Sequence, residues 1–275
     1  DDRLGLVAAD GTVATAADDV GASGDDVVTQ RFRLEADRAE VVFAAASAVE
    51  VDAPQRLVQR GDGTLLAGER FMGPGTTYTV RSRRVPVDEA ILRAADGPIP
   101  AEIAARYASP PVATDRVLAA ADEATAGATG TYDKILAIER WMGERTEYSL
   151  DAPLSPRGVD VVDHFLFEAR QGWCEQIASS LVVLARAEGI PARLVTGYVP
   201  GERDPITGTY VVRERDAHAW AEVWFPTVGW VPFDPTADVP LAGQDATSDT
   251  PGRWILDHLL VLVLGAAALG VAGWG

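Results

Sequence analysis

Three side chains in the second half of the chain are of the types that thiol chemistry requires. Cys174, the only cysteine in 275 residues, lies in ARQGWCEQIASS; His218 follows in DAHAWAEVWF and Asp234 in WVPFDPTA. A thiol attacks carbonyl groups as the thiolate, which an imidazole produces by accepting the thiol proton. A carboxylate can hold that imidazole in the required tautomer. These three residues are therefore candidates for nucleophile, base and orienting acid.

The sequence around Cys174 predicts the start of a central helix. An almost continuous apolar pattern favours a mostly buried helix over residues 174–188, which Gly189 and Pro191 end. The N-terminus of a helix stabilises a thiolate, and its unpaired N–H groups, beginning with the backbone N–H of Cys174, can bind an oxyanion. The alternative is that Cys174 is only a small buried hydrophobic residue.

The segment that contains His218 has the alternation of a strand. It places four side chains on one face: His218, Trp220, Glu222 and Trp224. Asp234 lies sixteen residues later, across one hairpin, where it could reach the imidazole. Alternatively, His218 fills space in the sheet and Asp234 caps a turn before Pro235. The other histidines are less suitable, because His164 lies on a short helix flanked by acids and His258 adjoins an apolar segment.

The elements that must position these residues divide the chain into six predicted segments. Short β-type runs separated by Gly and Asp turns indicate a small β-rich domain, and an Ala-rich pattern indicates helices after it. The segments are a loose N-terminal lead-in (1–26), the β-rich domain (27–86), a helical connection (87–130), the domain with the candidate residues (131–237), a polar linker (238–252) and a transmembrane helix (253–275). Because the sequence begins without methionine, we expect it to be part of a longer protein.

The predicted transmembrane helix is based on residues 259–275, which are 17 uncharged and mostly apolar residues. Trp254 and Trp274 bracket a span of about 30 Å at helical rise, which is the thickness of a bilayer core. Tryptophan is typical of both membrane interfaces. The alternative is a buried apolar helix or hairpin.

Charge composition argues against several classes of partner. With 41 acidic and 24 basic residues, and Lys134 as the only lysine, the net charge is −17. Such a surface repels nucleic acids and anionic lipids. It favours adaptation to high salt, although a GC-rich genome produces the same bias. A single cysteine excludes internal disulfides, and the sequence contains no metal-ligand cluster, phosphate-binding glycine loop or GxSxG motif, so we expect no cofactor.

Three motifs in the same order resemble the transglutaminase-like superfamily, specifically its membrane-anchored prokaryotic branch. They are QGWCEQIASSLVVLARAEGIPARLVTGYVPGE, DAHAWAEVWF and GWVPFDPT, and the resemblance runs from residue 131 to 237. It implies a papain-like α+β fold with the nucleophile helix packed on an antiparallel sheet. It also implies Cys174 as nucleophile, His218 as base and Asp234 as orienting acid, in a domain outside the cytoplasmic membrane.

The function expected from this resemblance is acyl transfer from a glutamine amide or peptide carbonyl of a protein or peptide substrate, through a Cys174 thioester. A cysteine protease or amidase that uses the same triad is the alternative, as is a non-catalytic, membrane-tethered binding or assembly module. Trp173 and Trp220 are candidates for the substrate groove. No motif identifies the second oxyanion donor, for which four side chains are chemically possible: Gln171, Trp173, Tyr148 and Trp141.

Overall fold

The computed structural model of the chain describes residues 5–7, 27–45, 47–68, 70–83, 88–95, 97–109 and 111–236. The predicted polar linker and transmembrane helix, and most of the lead-in, lie outside these residues. No helix within the described ranges is both long and apolar enough to cross a bilayer. Of the described residues, those up to 197 together with 218–236 form one compact unit, and 198–217 belong to a second.

Among the described residues, five strands form in the predicted β-rich segment, and a sixth forms within the segment predicted as a loose lead-in. They are β1 (Gly5–Val7), β2 (Val27–Arg33), β3 (Ala48–Asp52), β4 (Leu57–Gln59), β5 (Leu65–Ala67) and β6 (Thr77–Arg83). Two antiparallel sheets result, with strand orders β2-β6-β3 and β1-β4-β5. Alternate residues of β6, including Tyr78 and Val80, point into a small apolar core with Val51 and Leu57. The alternating sequence pattern therefore corresponds to a sheet with one buried face.

Six α-helices follow, as the Ala-rich and apolar patterns predict. They are α1 (Glu89–Ala94), α2 (Ala101–Tyr107), α3 (Asp115–Thr125), α4 (Thr131–Gly143), α5 (Val161–His164) and α6 (Cys174–Ala187). Helix α3 begins at Thr114, whose hydroxyl accepts a hydrogen bond from the Val117 N–H at 3.3 Å. Helix α5 is shorter than its apolar pattern suggests, because the chain continues as a π-helix over Phe165–Ala169.

The antiparallel sheet next to α6 has the order β13-β12-β9, formed by β9 (Ala192–Tyr198), β12 (Ala217–Phe225) and β13 (Gly229–Phe233). The register of β12 and β13 pairs Ala221 with Phe233 and Phe225 with Gly229. Side chains of α4, α6, β12 and β13 share one core that includes Ile138, Leu181 and Val223. This confirms an α+β arrangement in which the helix that begins at Cys174 packs on an antiparallel sheet.

One predicted strand is much shorter than expected. In the segment TYVVRER only β11 (Tyr210–Val211) pairs, with β10 (Glu202–Arg203), and a 3₁₀ turn follows over Glu214–Asp216. The side chains of both strands are exposed. Because pairing without burial contributes little stability, this hairpin remains short.

The side chain of Arg193, inside the first unit, joins the β-rich segment to the sheet that carries His218. Arg193 on β9 donates to the Glu222 carboxylate on β12 at 2.7 and 2.8 Å, and to the backbone oxygen of Asp62 at 3.1 Å. The guanidinium also lies 4.1 Å from the ring centroid of Trp230. Glu222 is buried, so loss of Arg193 would leave a carboxylate in the interior without a charged partner.

Candidate active site

Cys174 is the first residue of α6, as the sequence predicts, and its thiol is free and half-buried. Trp173 precedes it in an extended conformation, and its N–H donates to the side-chain oxygen of Gln176 at 3.1 Å. A β-carbon at Gly172 would lie 2.6 Å from that oxygen and 2.7 Å from the ring of Phe165. Glycine is therefore required here for the chain to enter the helix at this position.

The imidazole of His218 is held by Asp234, with Nε2 and Oδ2 2.7 Å apart. The other carboxylate oxygen accepts two hydrogen bonds from Thr236, from the N–H at 2.9 Å and from the hydroxyl at 2.7 Å. This contact fixes the tautomer: when His218 is neutral, Nε2 carries the proton and Nδ1 has a free lone pair. Nδ1 is buried and has no hydrogen-bond partner among the described residues.

Trp220 lies beside the catalytic candidate His218 on the same strand, with ring centroids 6.2 Å apart and an interplanar angle of 24°. This contact agrees with the predicted alternation, which places both residues on one face. The Trp220 ring passes close to Gly197 of β9, where a β-carbon would lie 3.0 Å from it. The small residue on β9 thus makes room for the ring that covers the imidazole.

Tyr148 is brought to the thiol by a short parallel pairing of β7 (Glu147–Tyr148) with β8 (Gln171–Gly172). The register places Tyr148 opposite Gly172, two residues before Cys174. Burial raises the pKa of the Tyr148 phenol, and the negative charges of Cys174 and Asp234 raise it further. A protonated hydroxyl therefore lies within electrostatic reach of both groups.

The other three candidates for the second oxyanion donor differ in their surroundings. The indole N–H of Trp141 already donates to Glu123 at 3.0 Å, so this residue is part of the packing between α3 and α4. Gln171 is exposed and Trp173 is half-buried. Nδ1 of His164 lies 3.4 Å from the hydroxyl of Ser155, and His258 lies outside the described residues.

Two residues of the site escaped the sequence analysis. Thr236 orients Asp234. The sequence pattern that could have predicted this contact is a hydroxyl residue two positions after an aspartate, because an aspartate side chain often accepts hydrogen bonds from the residue two positions later in a turn. Glu139 on α4 is half-buried, and burial together with the charge of Asp234 raises the pKa of Glu139 to about 7. The sequence pattern that could have identified Glu139 is a carboxylate among the apolar residues of an amphipathic helix.

Comparison with known proteins gives consistent similarities for this part of the chain. Residues 118–235 match the family described as the transglutaminase-like superfamily. The protein-glutamine gamma-glutamyltransferase of Pseudomonas aeruginosa is 43% identical over 102 residues, which are 37% of this chain and 15% of that protein. The uncharacterized protein YebA of Bacillus subtilis is 38% identical over 142 residues, or 50% of this chain and 19% of YebA. The chain thus spans less than a fifth of either relative.

A solved structure is also similar over most of the chain. The periplasmic domain of TgpA from Pseudomonas aeruginosa superposes with a TM-score of 0.67 at 28% sequence identity. The match covers 82% of this chain and 75% of the TgpA domain. The mixed α/β arrangement with antiparallel sheets is therefore one that a transglutaminase-like protein adopts.

Proposed function

We propose that the chain, whose residues 118–235 match the transglutaminase-like superfamily, is a thiol acyltransferase acting on glutamine side-chain amides through a Cys174 thioester. The observation that carries this proposal is the hydrogen bond of 2.7 Å between Nε2 of His218 and Asp234. It leaves Nδ1 as an unpartnered acceptor in a domain whose only thiol lies at a helix N-terminus. An imidazole with a free ring nitrogen can serve as base for such a thiol.

The first half of the reaction transfers an acyl group to Cys174. Nδ1 of His218 accepts the thiol proton, and the thiolate attacks the amide carbon, whose π electrons move to oxygen. We assign the Cys174 N–H and the Tyr148 hydroxyl as donors to this oxyanion. The intermediate then collapses: the carbon–nitrogen bond breaks, the imidazolium proton goes to the leaving nitrogen, and ammonia departs from the thioester.

The second half of the reaction resolves the thioester. An amine approaches its carbonyl carbon while Nδ1 of His218 accepts an amine proton, and the carbon–sulfur bond breaks. The thiolate recovers the proton from His218, and an isopeptide bond results. Water in place of the amine yields glutamate, which is the amidase outcome, and attack on a peptide carbonyl in the first half is the protease outcome.

Transfer is favoured over hydrolysis by one similarity. The relative named protein-glutamine gamma-glutamyltransferase is 43% identical over 102 residues. Trp173 and Trp220, both half-buried beside the candidate catalytic residues, are proposed as walls of the groove that receives the substrate. Aromatic walls limit the access of water to the thioester, which favours attack by an amine.

We further propose that this domain belongs to a membrane-anchored protein and lies outside the cytoplasm. The segment bracketed by Trp254 and Trp274 is of bilayer length. The similar TgpA domain is periplasmic in Pseudomonas aeruginosa. Fractionation of cells that express the chain with its native flanking sequence, followed by protease treatment of spheroplasts, tests this location; a domain protected from the protease contradicts it.

The catalytic proposal is tested by supplying a glutamine peptide and a fluorescent primary amine, and measuring ammonia and peptide-bound label together. We expect both to be produced by the wild type and lost in Cys174→Ala and His218→Gln. His164→Gln is the matched control and keeps the activity. Ammonia without bound label would indicate an amidase. Neither product, with Cys174 alkylated at the rate of an ordinary thiol below pH 7, would indicate a non-catalytic module.

A further inference from the structure

Four buried polar side-chain atoms have no hydrogen-bond partner among the described residues, and three of them belong to one aromatic cluster. The fourth is Nδ1 of His218 in the candidate active site. The cluster consists of Tyr107 on α2, Trp224 on β12 and Trp230 on β13, and its unpartnered atoms are the tyrosine hydroxyl and the two indole nitrogens. All three groups can donate a hydrogen bond, and an indole cannot accept one. Buried donors without acceptors favour a ligand that supplies acceptor oxygens.

The three rings of the aromatic cluster are in direct contact. The centroid of the Trp230 ring lies 4.8 Å from that of Tyr107 and 5.5 Å from that of Trp224, both in edge-to-face geometry. Each of the three residues is more than nine-tenths buried. The unpartnered donors are therefore concentrated in one small region, where burial has removed water from them without an acceptor in exchange.

Three guanidinium groups surround the Tyr107 ring. Their central carbon atoms lie 5.6 Å (Arg106 on α2), 6.0 Å (Arg186 on α6) and 6.0 Å (Arg193 on β9) from its centroid. Arg193 is paired with Glu222, but Arg106 and Arg186 form no ion pair with any described residue. Burial lowers the pKa of the Arg186 guanidinium, so an anion beside it would stabilise its charge.

The acids near these arginines do not balance their charge. Glu222 is held by Arg193 at 2.7 Å. The Asp62 carboxyl is partly buried, which acts to raise its pKa, but hydrogen bonds from Thr64 and the charge of Arg106 lower the pKa overall. With both carboxylates counted, one guanidinium charge remains in excess. An excess of positive charge is unusual in a chain whose net charge is −17.

We propose that the aromatic cluster and its three arginines form a binding site for a phosphate group. The guanidinium groups come from α2, α6 and β9, and the oxygens of a tetrahedral anion point in several directions, whereas the two oxygens of a carboxylate lie in one plane. Arg106 is exposed, so the ligand enters on its side, and the half-buried Arg186 and Arg193 lie deeper. Arg186 follows Cys174 by twelve residues on α6, about 18 Å at helical rise, so this site is separate from the candidate active site.

A phosphate group at this position also strengthens the junction between the β-rich segment and the sheet. Arg193 donates to the backbone oxygen of Asp62 at 3.1 Å. A β-carbon at Gly61 would lie 2.9 Å from Nη1 of Arg106, so this guanidinium packs on the backbone of the same turn. Two of the three arginines thus contact the β-rich segment, and an anion shared between them holds both in place.

The test compares phosphate with chloride at equal ionic strength, because screening alone stabilises a chain of net charge −17. Thermal unfolding and isothermal titration calorimetry with inorganic phosphate are the two readouts, and neither requires turnover. We expect a higher Tm in phosphate than in chloride. Arg106→Gln should raise the Kd for phosphate at least about 10-fold. Arg140→Gln, which removes the same charge from an exposed arginine of α4, is the matched control and leaves the Kd unchanged.

Two further measurements define the ligand class. Arg186→Lys keeps the charge but loses the planar fork, so it should weaken phosphate binding even if Arg106→Gln fails to fold. Glycerol 1-phosphate separates a phosphate monoester from the free ion, and binding of either supports the proposal. Acetate that binds as tightly as phosphate contradicts a site for a tetrahedral anion. An equal Tm in phosphate and chloride, with no heat of binding, would overturn the proposal and leave the arginines as cation–π partners of the rings.

Discussion

Replacing Glu139 by glutamine is expected to change how protein stability depends on pH. The pKa of this carboxyl is about 7 in the folded chain, against an ordinary value of 4.5. Below pH 4.5 the group is neutral in both states and contributes no difference. As pH rises from 4.5 to 7, the unfolded chain releases the proton first, so ionisation favours unfolding, and above pH 7 the destabilisation is complete.

The size of this destabilisation follows from the difference between the folded and the ordinary pKa of Glu139. At about 1.4 kcal/mol per pH unit, the full destabilisation is about 3 kcal/mol, and its change between pH 5 and pH 8 is about 2.5 kcal/mol. These are upper values, because Glu139 is half-buried and water screens part of its charge. Glutamine has the same shape without a charge. The variant should therefore be more stable than wild type by about 1 to 3 kcal/mol at pH 8, and nearly equal at pH 5.

Urea unfolding followed by tryptophan fluorescence at half-unit steps from pH 5 to 8 measures this difference, with Glu144→Gln as the control. The side chain of Glu144 is 64% exposed and pairs only with the adjacent Arg145, so its variant should follow the wild-type curve. A difference between wild type and Glu139→Gln that stays constant over this range would refute the reasoning, because a pH-independent gain reflects packing and not ionisation.

Three further substitutions address the remaining contacts of the site. Asp234→Asn removes the carboxylate from His218 and should slow ammonia release at least about 100-fold with an unchanged circular dichroism spectrum. Retained activity would exclude the orienting role. Substitution of Glu222, in contrast, should not lower activity while leaving the fold unchanged. Tyr148→Phe should lower kcat by about 10- to 100-fold while KM and Cys174 alkylation are retained, and an unchanged kcat would exclude it as an oxyanion donor. Gly172→Ala should destabilise the chain by about 1 to 3 kcal/mol in urea unfolding, since its β-carbon overlaps Phe165; wild-type stability would contradict the predicted clash.

The elements that carry the site could be predicted because their sequence signals are local and strong. The apolar run after Cys174, ended by Gly189, corresponds to α6, and the alternation around His218 corresponds to β12. Both signals depend on periodicity within one element, which burial of a single face imposes. The meeting of His218 with Asp234 was also expected, since one hairpin connects them.

The features that escaped prediction depend on contacts between distant segments. The π-helix at Phe165–Ala169 allows the Phe165 ring to approach Gly172, a requirement that is not visible within its own segment. Which ring nitrogen of His218 meets the carboxylate is decided by side-chain orientation, and sequence spacing carries no information on that. Glu139 was overlooked because a single polar residue in an amphipathic helix is ordinarily solvated, whereas burial and the charge of Asp234 together raise the pKa of this one.

The composition predicts adaptation to high salt, but a genomic bias in amino-acid usage would give the same composition. The two explanations differ in the range of salt concentration over which salt stabilises the fold. Repulsion among the groups that give the net charge of −17 is screened over about 10 Å at 0.1 M salt and about 3 Å at 1 M. Screening alone therefore stops adding stability near 1 M. The chain should continue to gain unfolding free energy between 1 and 3 M potassium chloride, measured by urea unfolding, if its acidic surface binds hydrated cations. The 2.7 Å contact of His218 with Asp234 is too short and too buried to be screened, so the ammonia-release rate should persist over the same range. A plateau at 1 M would leave the composition of the genome as the sufficient explanation.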